Sequence, residues 1–205
     1  MPLQNRVTPF GDILAVPQRG TLMGNRGIIH DPTTRTLLKR RWTTRAWIIC
    51  VCAFRNVRRA VMARQSWTEL FFLDEPTALS AGHRPCFYCQ RERAKAFQAA
   101  WADGKGIARQ SAPEMDRVLH GERLDGDGAK RRHPLATAVK DLPDGSMIAS
   151  GDNAYLVYRR ATYLWSWDGY AACPLPTRDV SLLTPPSTVE ALRGGYQPII
   201  TGVQS

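Results

Sequence analysis

No stretch of this sequence is apolar for long enough to cross a bilayer. The longest apolar run, Ala46 to Phe54, falls far short of the ~20 residues a spanning helix needs. The segment "MPLQNRVTPFGDI" at the start has neither an apolar signal core nor a cleavage pattern, so a cytoplasmic protein without membrane association is expected. Internal repeats and low-complexity segments are also missing, which excludes solenoid arrays and disordered linkers. Lysine is scarce: only positions 39, 95, 105, 130 and 140 carry it, so arginine supplies most of the 28 basic residues set against 18 acidic ones. Cysteine is present in an odd number, five, with no secretion signal, and reduced thiols are expected rather than a disulfide framework.

What remains is a globular composition, 43% apolar and 22% charged over 205 residues, enough to bury a core without a metal to hold it. The net charge of +10 is clustered. Lys39, Arg40, Arg41 and Arg45 form one group, and Arg55, Arg58, Arg59 and Arg64 a second. Arg91, Arg93 and Lys95 form a third, and Lys130, Arg131 and Arg132 a fourth, with His133 beside it in a phosphate-contacting loop or a plain polar turn. Trp42, Trp47 and Trp67 lie among the first two. Arginine forks suit bidentate phosphate contact and stacking on bases, so nucleic acid is the expected partner, DNA before RNA, with a protein partner possible in addition. Arg55, Arg58, Arg59, Arg91, Arg93 and Lys95 are the candidate contact residues.

Short strands between tight turns are expected over residues 1 to 30, and "RAWIICVCAFR" reads as a strand. "TELFFLDEPTALSAGH" reads as a strand or turn entering a short helix, capped by Asp74, with Pro76 in its first turn and Gly82 at its end. A helix is expected from Cys86 to Gly104, a second over "APEMDRVLHGERL", then a hairpin over "AYLVYRRATYLWSW". "DVSLLT" reads as a further strand, and "PPSTVEALRGGY" as a short helix with Ser187 and Glu190 as a capping box. The fold class is α+β: a zinc-ribbon-like strand-and-helix region over residues 1–110, then residues 111–205 with a helix and an antiparallel β part, packed together as one unit.

Cys86 and Cys89 stand as C-x-x-C after a Gly-His-Arg-Pro turn, in no βαβ frame, which favours metal over thioredoxin-like redox chemistry. A tetrahedral zinc ion needs a second half-site, and Cys50 with Cys52 is the upstream pair. Residues i and i+2 of a regular strand sit roughly 6.6 Å apart. Two sulfurs on one zinc must lie within roughly 3.8 Å. Either the strand bends, or one cysteine binds and His30 completes the set. Cys173 reads as a core or loop thiol.

"FFLDEPTALSAGHRPCFYC" resembles the zinc-binding segment of the Ada metal-binding domain, the module of bacterial adaptive-response DNA repair. Phe72, Ala78, Leu79, Ala81, Gly82, Arg84, Pro85, Cys86 and Cys89 carry the likeness, over about 18 residues; His83 stands where the family has an aromatic residue. The resemblance implies a four-cysteine zinc site and thiolate alkyl transfer from DNA phosphotriesters, although the upstream "ICVC" departs from the family's C-x-x-x-C spacing. A separate enzymatic alternative rests on Asp116, His120 and Glu122. Asp116 and His120 lie four apart on one helix face and could serve a hydrolytic nuclease. The expectation taken forward is a zinc-stabilised protein that binds nucleic acid in repair or processing, with a nucleic-acid-modifying enzyme as the alternative.

Overall fold

Glycine and proline break the first 25 positions into pieces too short for anything but brief strands. A computed structural model describes residues 1–55, 60–64 and 66–203. Its first elements are β1 (Arg6–Val7), β2 (Ile13–Leu14), β3 (Leu22–Asn25), β4 (Ile48–Val51) and β5 (Leu70–Phe72). Helix α1 (Glu75–Ser80) and β6 (Arg84–Pro85) follow, then α2 (Arg91–Lys105) and α3 (Ala112–Arg123). Five strands come next: β7 (Met147–Ser150), β8 (Asn153–Tyr158), β9 (Ala161–Ser166), β10 (Gly169–Cys173) and β11 (Val180–Leu182). Helix α4 (Pro186–Arg193) is the last element. The chain is α+β, and no helix among the described residues is long and apolar enough to cross a membrane.

The six-stranded sheet runs β2-β1-β5-β3-β4-β6 and is mixed, because β1 pairs with β5 and β4 with β6 in parallel. The five-stranded sheet, β10-β9-β8-β7-β11, is antiparallel throughout. Its β8–β9 turn is made by Arg159 and Arg160, both at positive φ (50° and 62°), the twist a two-residue hairpin needs. The Asp144 carboxylate steadies it by accepting from the Arg159 N–H at 2.7 Å.

Residues on both sides of position 110 share one core. Phe97 and Trp101 of α2, Met115 and Leu119 of α3, and Ala191 and Leu192 of α4 pack with Ile49, Leu70 and Phe72 of the mixed sheet. Helices α2 and α4 approach closely at two glycines. A β-carbon on Gly104 would lie 1.8 Å from the Glu190 carbonyl oxygen, and one on Gly194 would lie 2.1 Å from that of Ala100. Gly104 is therefore a contact inside α2, and the helix ends at Gly106, whose φ of 63° is left-handed. The capping carboxylate is also displaced from expectation. Glu114 accepts from the Ser111 N–H and hydroxyl, both at 2.7 Å, at the start of α3. At α4 Ser187 instead donates to Glu122, and Glu190 accepts from Arg193.

Asp74 and Glu75 join the two sheets. Glu75 binds Arg93, the Tyr196 hydroxyl and the Ile199 N–H. Asp74 caps α1, accepting from the Thr77 N–H (3.1 Å) and hydroxyl (2.8 Å), and takes the Tyr170 hydroxyl of β10 at 2.9 Å. Burial nevertheless raises its carboxyl to about 6, against the pull of those hydrogen bonds. An acid raised on folding binds its proton more tightly in the native state, so its contribution is most favourable below pH 4. That contribution is lost as pH rises through about 6, on the order of 2 to 3 kcal/mol. Urea unfolding at pH 4.5 and 7.5 should show Asp74→Asn losing that part of the pH dependence. An identical pH dependence in the variant would contradict the assignment.

Candidate metal centre

The parallel pairing of β4 with β6 sets Ile48 opposite Arg84 and Ile49 opposite Pro85, which brings Cys50 beside Cys86 at the next step. The Cys86 N–H donates to the Ile49 carbonyl at 3.0 Å, and the Gln90 side-chain amide reaches the same oxygen at 2.9 Å. The C-x-x-C segment is a turn, and the helix expected from Cys86 starts at Arg91. That turn curls Cys89 back toward Cys86. The sulfurs of Cys50, Cys86 and Cys89 all lie within 4.8 Å of one another, a group that could hold a metal ion. They need only small side-chain shifts to reach the roughly 3.8 Å separation set by a tetrahedral ion.

Cys52 and His30 are not in this group. Strand β4 ends at Val51, and beyond it the exposed Cys52 directs its thiol to the Thr21 carbonyl, 3.4 Å away. His30 is buried, one ring nitrogen meeting the Thr68 hydroxyl at 2.7 Å and the other the Arg64 carbonyl at 3.0 Å. Cys173 lies in β10, its thiol facing the Thr162 carbonyl.

The three thiols titrate as a unit. Cys86 is drawn well down because Cys50, then Cys89, hydrogen-bond to its sulfur, and the Tyr88 N–H adds a contact at 3.4 Å. Cys50 is pushed far up, first by its hydrogen bonds to Cys86 and Cys89 and then by burial. At Cys89 the hydrogen bond from Cys50 lowers the thiol, but Cys86 and burial outweigh it and the group is raised. One thiolate forms readily, and a divalent cation would displace the remaining protons.

The sulfurs form one wall of a cleft of about 470 Å³. Trp67, Phe71, Phe54 and Tyr88 supply aromatic surface, Glu69 a carboxylate and Arg55 a cation. Phe71 reaches the cleft because alternate residues of β5 face opposite ways, while Leu70 and Phe72 enter the core. At the mouth, Arg55 lies over the rings of Phe54 (5.1 Å) and Tyr88 (5.5 Å), and Tyr88 is 69% exposed. One Glu69 oxygen accepts from the Met62 N–H at 2.9 Å.

The remaining sequence candidates are dispersed. Arg58 and Arg59 lie outside the described residues. Arg91 and Lys95 are exposed on α2, whereas Arg93 turns inward to Glu75 and donates to the Tyr196 hydroxyl at 2.8 Å. Asp116 accepts a fork from Arg84 at 2.8 and 2.7 Å. Glu122 accepts from the Ser187 N–H and hydroxyl at 3.0 and 2.6 Å. His120 stands edge-on to Trp42, ring centres 4.6 Å apart, with Nδ1 3.2 Å from Arg123. Burial first, then Arg123 and Arg45, holds its imidazole below the usual range.

Comparisons with protein-family models, with curated proteins and with solved structures find no match to this chain.

Proposed function

We propose that Cys50, Cys86 and Cys89 hold a zinc ion and that the aromatic cleft beside it, with Arg55 at its mouth, binds nucleic acid, DNA in the first instance. The observation that carries this reading is the joint placement of three sulfurs, four aromatic side chains and Arg55 around one cleft. Thiolate sulfur selects soft or borderline metals, and zinc is the one that needs no redox chemistry to be held. An exposed tyrosine beside a half-buried phenylalanine, both overlain by an arginine, forms a surface on which an unpaired base can stack. The likeness of residues 72–89 to a DNA-repair zinc element points the same way. Repair or processing is the corresponding role.

Arg55, Arg58, Arg59, Arg91 and Lys95 remain as phosphate contacts once Arg93 is assigned to Glu75. Five such contacts give a slope of log K against log salt of about −3.5 for single strands and −4.5 for duplex. Anisotropy titrations of a labelled oligonucleotide across several salt concentrations measure it. Replacing Arg55, Arg58 and Arg59 together with alanine should flatten the slope by about 2 to 3, with metal content unchanged. Tyr88→Ala should weaken single-strand binding by roughly 1 to 3 kcal/mol. Equal affinity and slope in the triple variant and the natural chain would sink the nucleic-acid reading.

A second reading, metal-assisted chemistry on a bound nucleic acid, is favoured by one feature. Three protein ligands leave a tetrahedral ion one coordination position, as in catalytic rather than closed structural sites. Cobalt substitution tests it: a change in the visible spectrum when an oligonucleotide is added would favour chemistry at the metal.

A further inference from the structure

A pocket of about 310 Å³, distinct from the sulfur cleft, is lined by Arg26, Arg41, Arg123 and Lys130, with Asp12 and Trp47. Arg26 and Arg123 are 2% and 0% exposed, and their guanidinium carbons lie 4.0 and 4.2 Å from the ring centre of Trp47. Lys130 is half-buried, its ammonium donating to the Ser80 carbonyl at 2.7 Å. Two guanidinium groups thus flank one indole, and the Lys130 ammonium lines the same pocket.

Charge this deep is ordinarily matched by opposite charge. Here the protein supplies little. Asp116, the carboxylate acting on Arg123, is already forked by Arg84, which leaves Glu122, hydrogen-bonded to Ser187, as the acid acting on Lys130. Asp12 is the acid on the pocket wall. The carbonyls of Gly11, Gly82 and Arg45 accept from the two guanidinium groups, which satisfies donors and cancels no charge. His83 accepts from Arg26 Nε at 3.2 Å, and burial, then Arg26 and Arg123, keep it neutral. Arg26 Nη2 and Arg123 Nε have no hydrogen-bond partner among the described residues. A β-carbon on Gly11 would lie 3.7 Å from Arg26 Nη2, so this buried donor sits just behind the Gly11 backbone of the pocket wall. Burial is the first cause lowering all three cations, to about 9 for each arginine and about 7 for Lys130, and neighbouring cations add to it.

We propose that this pocket binds the phosphate group of a small phosphomonoester. A phosphate supplies two negative charges and acceptor oxygens to forked guanidinium donors. Trp42, 38% exposed at the pocket wall, offers a flat surface for an attached ring, and the volume is at the lower end of small-molecule sites. The proposal does not depend on the metal or on nucleic-acid binding.

Thermal unfolding of the full chain tests it, with 10 mM inorganic phosphate, AMP, adenosine or chloride of matched ionic strength. If the dissociation constant is near 0.1 mM, phosphate or AMP should raise Tm by about 5 °C or more, and adenosine and chloride should not. AMP exceeding phosphate would assign the adjoining surface to the ring, and equality would assign the site to free phosphate. Arg26→Gln risks the fold, so the discriminating variant is Lys130→Met. The variant removes one of three crowded like charges but also the donor to the Ser80 carbonyl, so the rise is read against its own ligand-free Tm, and the phosphate-dependent rise should fall by half or more. No rise beyond that of chloride, a rise given equally by adenosine, or a full rise retained in Lys130→Met would each overturn the proposal.

Discussion

Cys86→Ser should bind metal about 10²-fold or more weakly than the natural chain, which is expected to carry close to one zinc per molecule. The magnitude follows from sharing the ~10 to 16 kcal/mol of a four-ligand thiolate-type zinc site among its ligands, about 3 kcal/mol each. Cys86 is central to the set, because the hydrogen bonds from Cys50 and Cys89 and from the Tyr88 N–H converge on its sulfur. Cys52→Ser is the informative companion. Its thiol is turned to the Thr21 carbonyl, outside the three-sulfur group, so metal content should stay close to one. Metal analysis after exhaustive dialysis reads both variants. Unchanged metal in a Cys86→Ser, Cys89→Ser double variant would remove the site, and loss in Cys52→Ser would show that a fourth thiolate closes it.

Asp116→Ala should destabilise the fold by roughly 3 to 5 kcal/mol, the cost of stranding one partner of a buried ion pair. Arg84 and Asp116 are both below a tenth exposed and meet through two bonds, at 2.8 and 2.7 Å. Arg84 also donates to the Pro85 carbonyl and sits in β6, two residues before Cys86. The damage should therefore spread to metal affinity. Chemical denaturation measures the loss, and replacing both partners with apolar residues of similar size, Arg84→Met with Asp116→Leu, should recover much of it. A stable Asp116→Ala variant lacking only a nucleolytic activity would restore the catalytic reading of this residue.

Local chemistry made several elements legible in the sequence. Asp74, Pro76 and Gly82 bracket a short helix because capping, proline's fixed φ and glycine's left-handed φ of 85° act within a few residues. The two aromatic- and branched-rich runs of "AYLVYRRATYLWSW", parted by a pair of arginines, likewise gave the β8–β9 hairpin. The failures share a cause. "SAPE" and "STVE" carry the same capping pattern, yet only Glu114 of the first folds back on its serine, because Glu122 from α3 claims Ser187 of the second. Gly104 reads as a helix stop and is a point of near-contact between backbones, which no neighbouring residue announces. In the metal centre, Cys86 and Cys89 were readable from spacing. The exclusion of Cys52 depends on where β4 ends, and the burial of Arg26 and Arg123 against Trp47 depends on long-range packing.

The parallel pairing of β4 with β6 also sets an order of events during folding. Cys86 and Cys89 are close in the chain and can grip an ion while the rest is still unfolded. Cys50 lies thirty-six positions upstream and joins only when a parallel pair spanning β5 and α1 has formed, the slow kind of contact. Closing a loop of that length costs the unfolded chain roughly 4 kcal/mol of entropy, on the scaling used for covalent cross-links. Capture of metal should thus proceed in two phases, a fast two-sulfur encounter followed by a slower locking step whose rate is that of sheet assembly. A mixing experiment with cobalt would then report, through the colour of the third thiolate, the moment at which the mixed sheet closes.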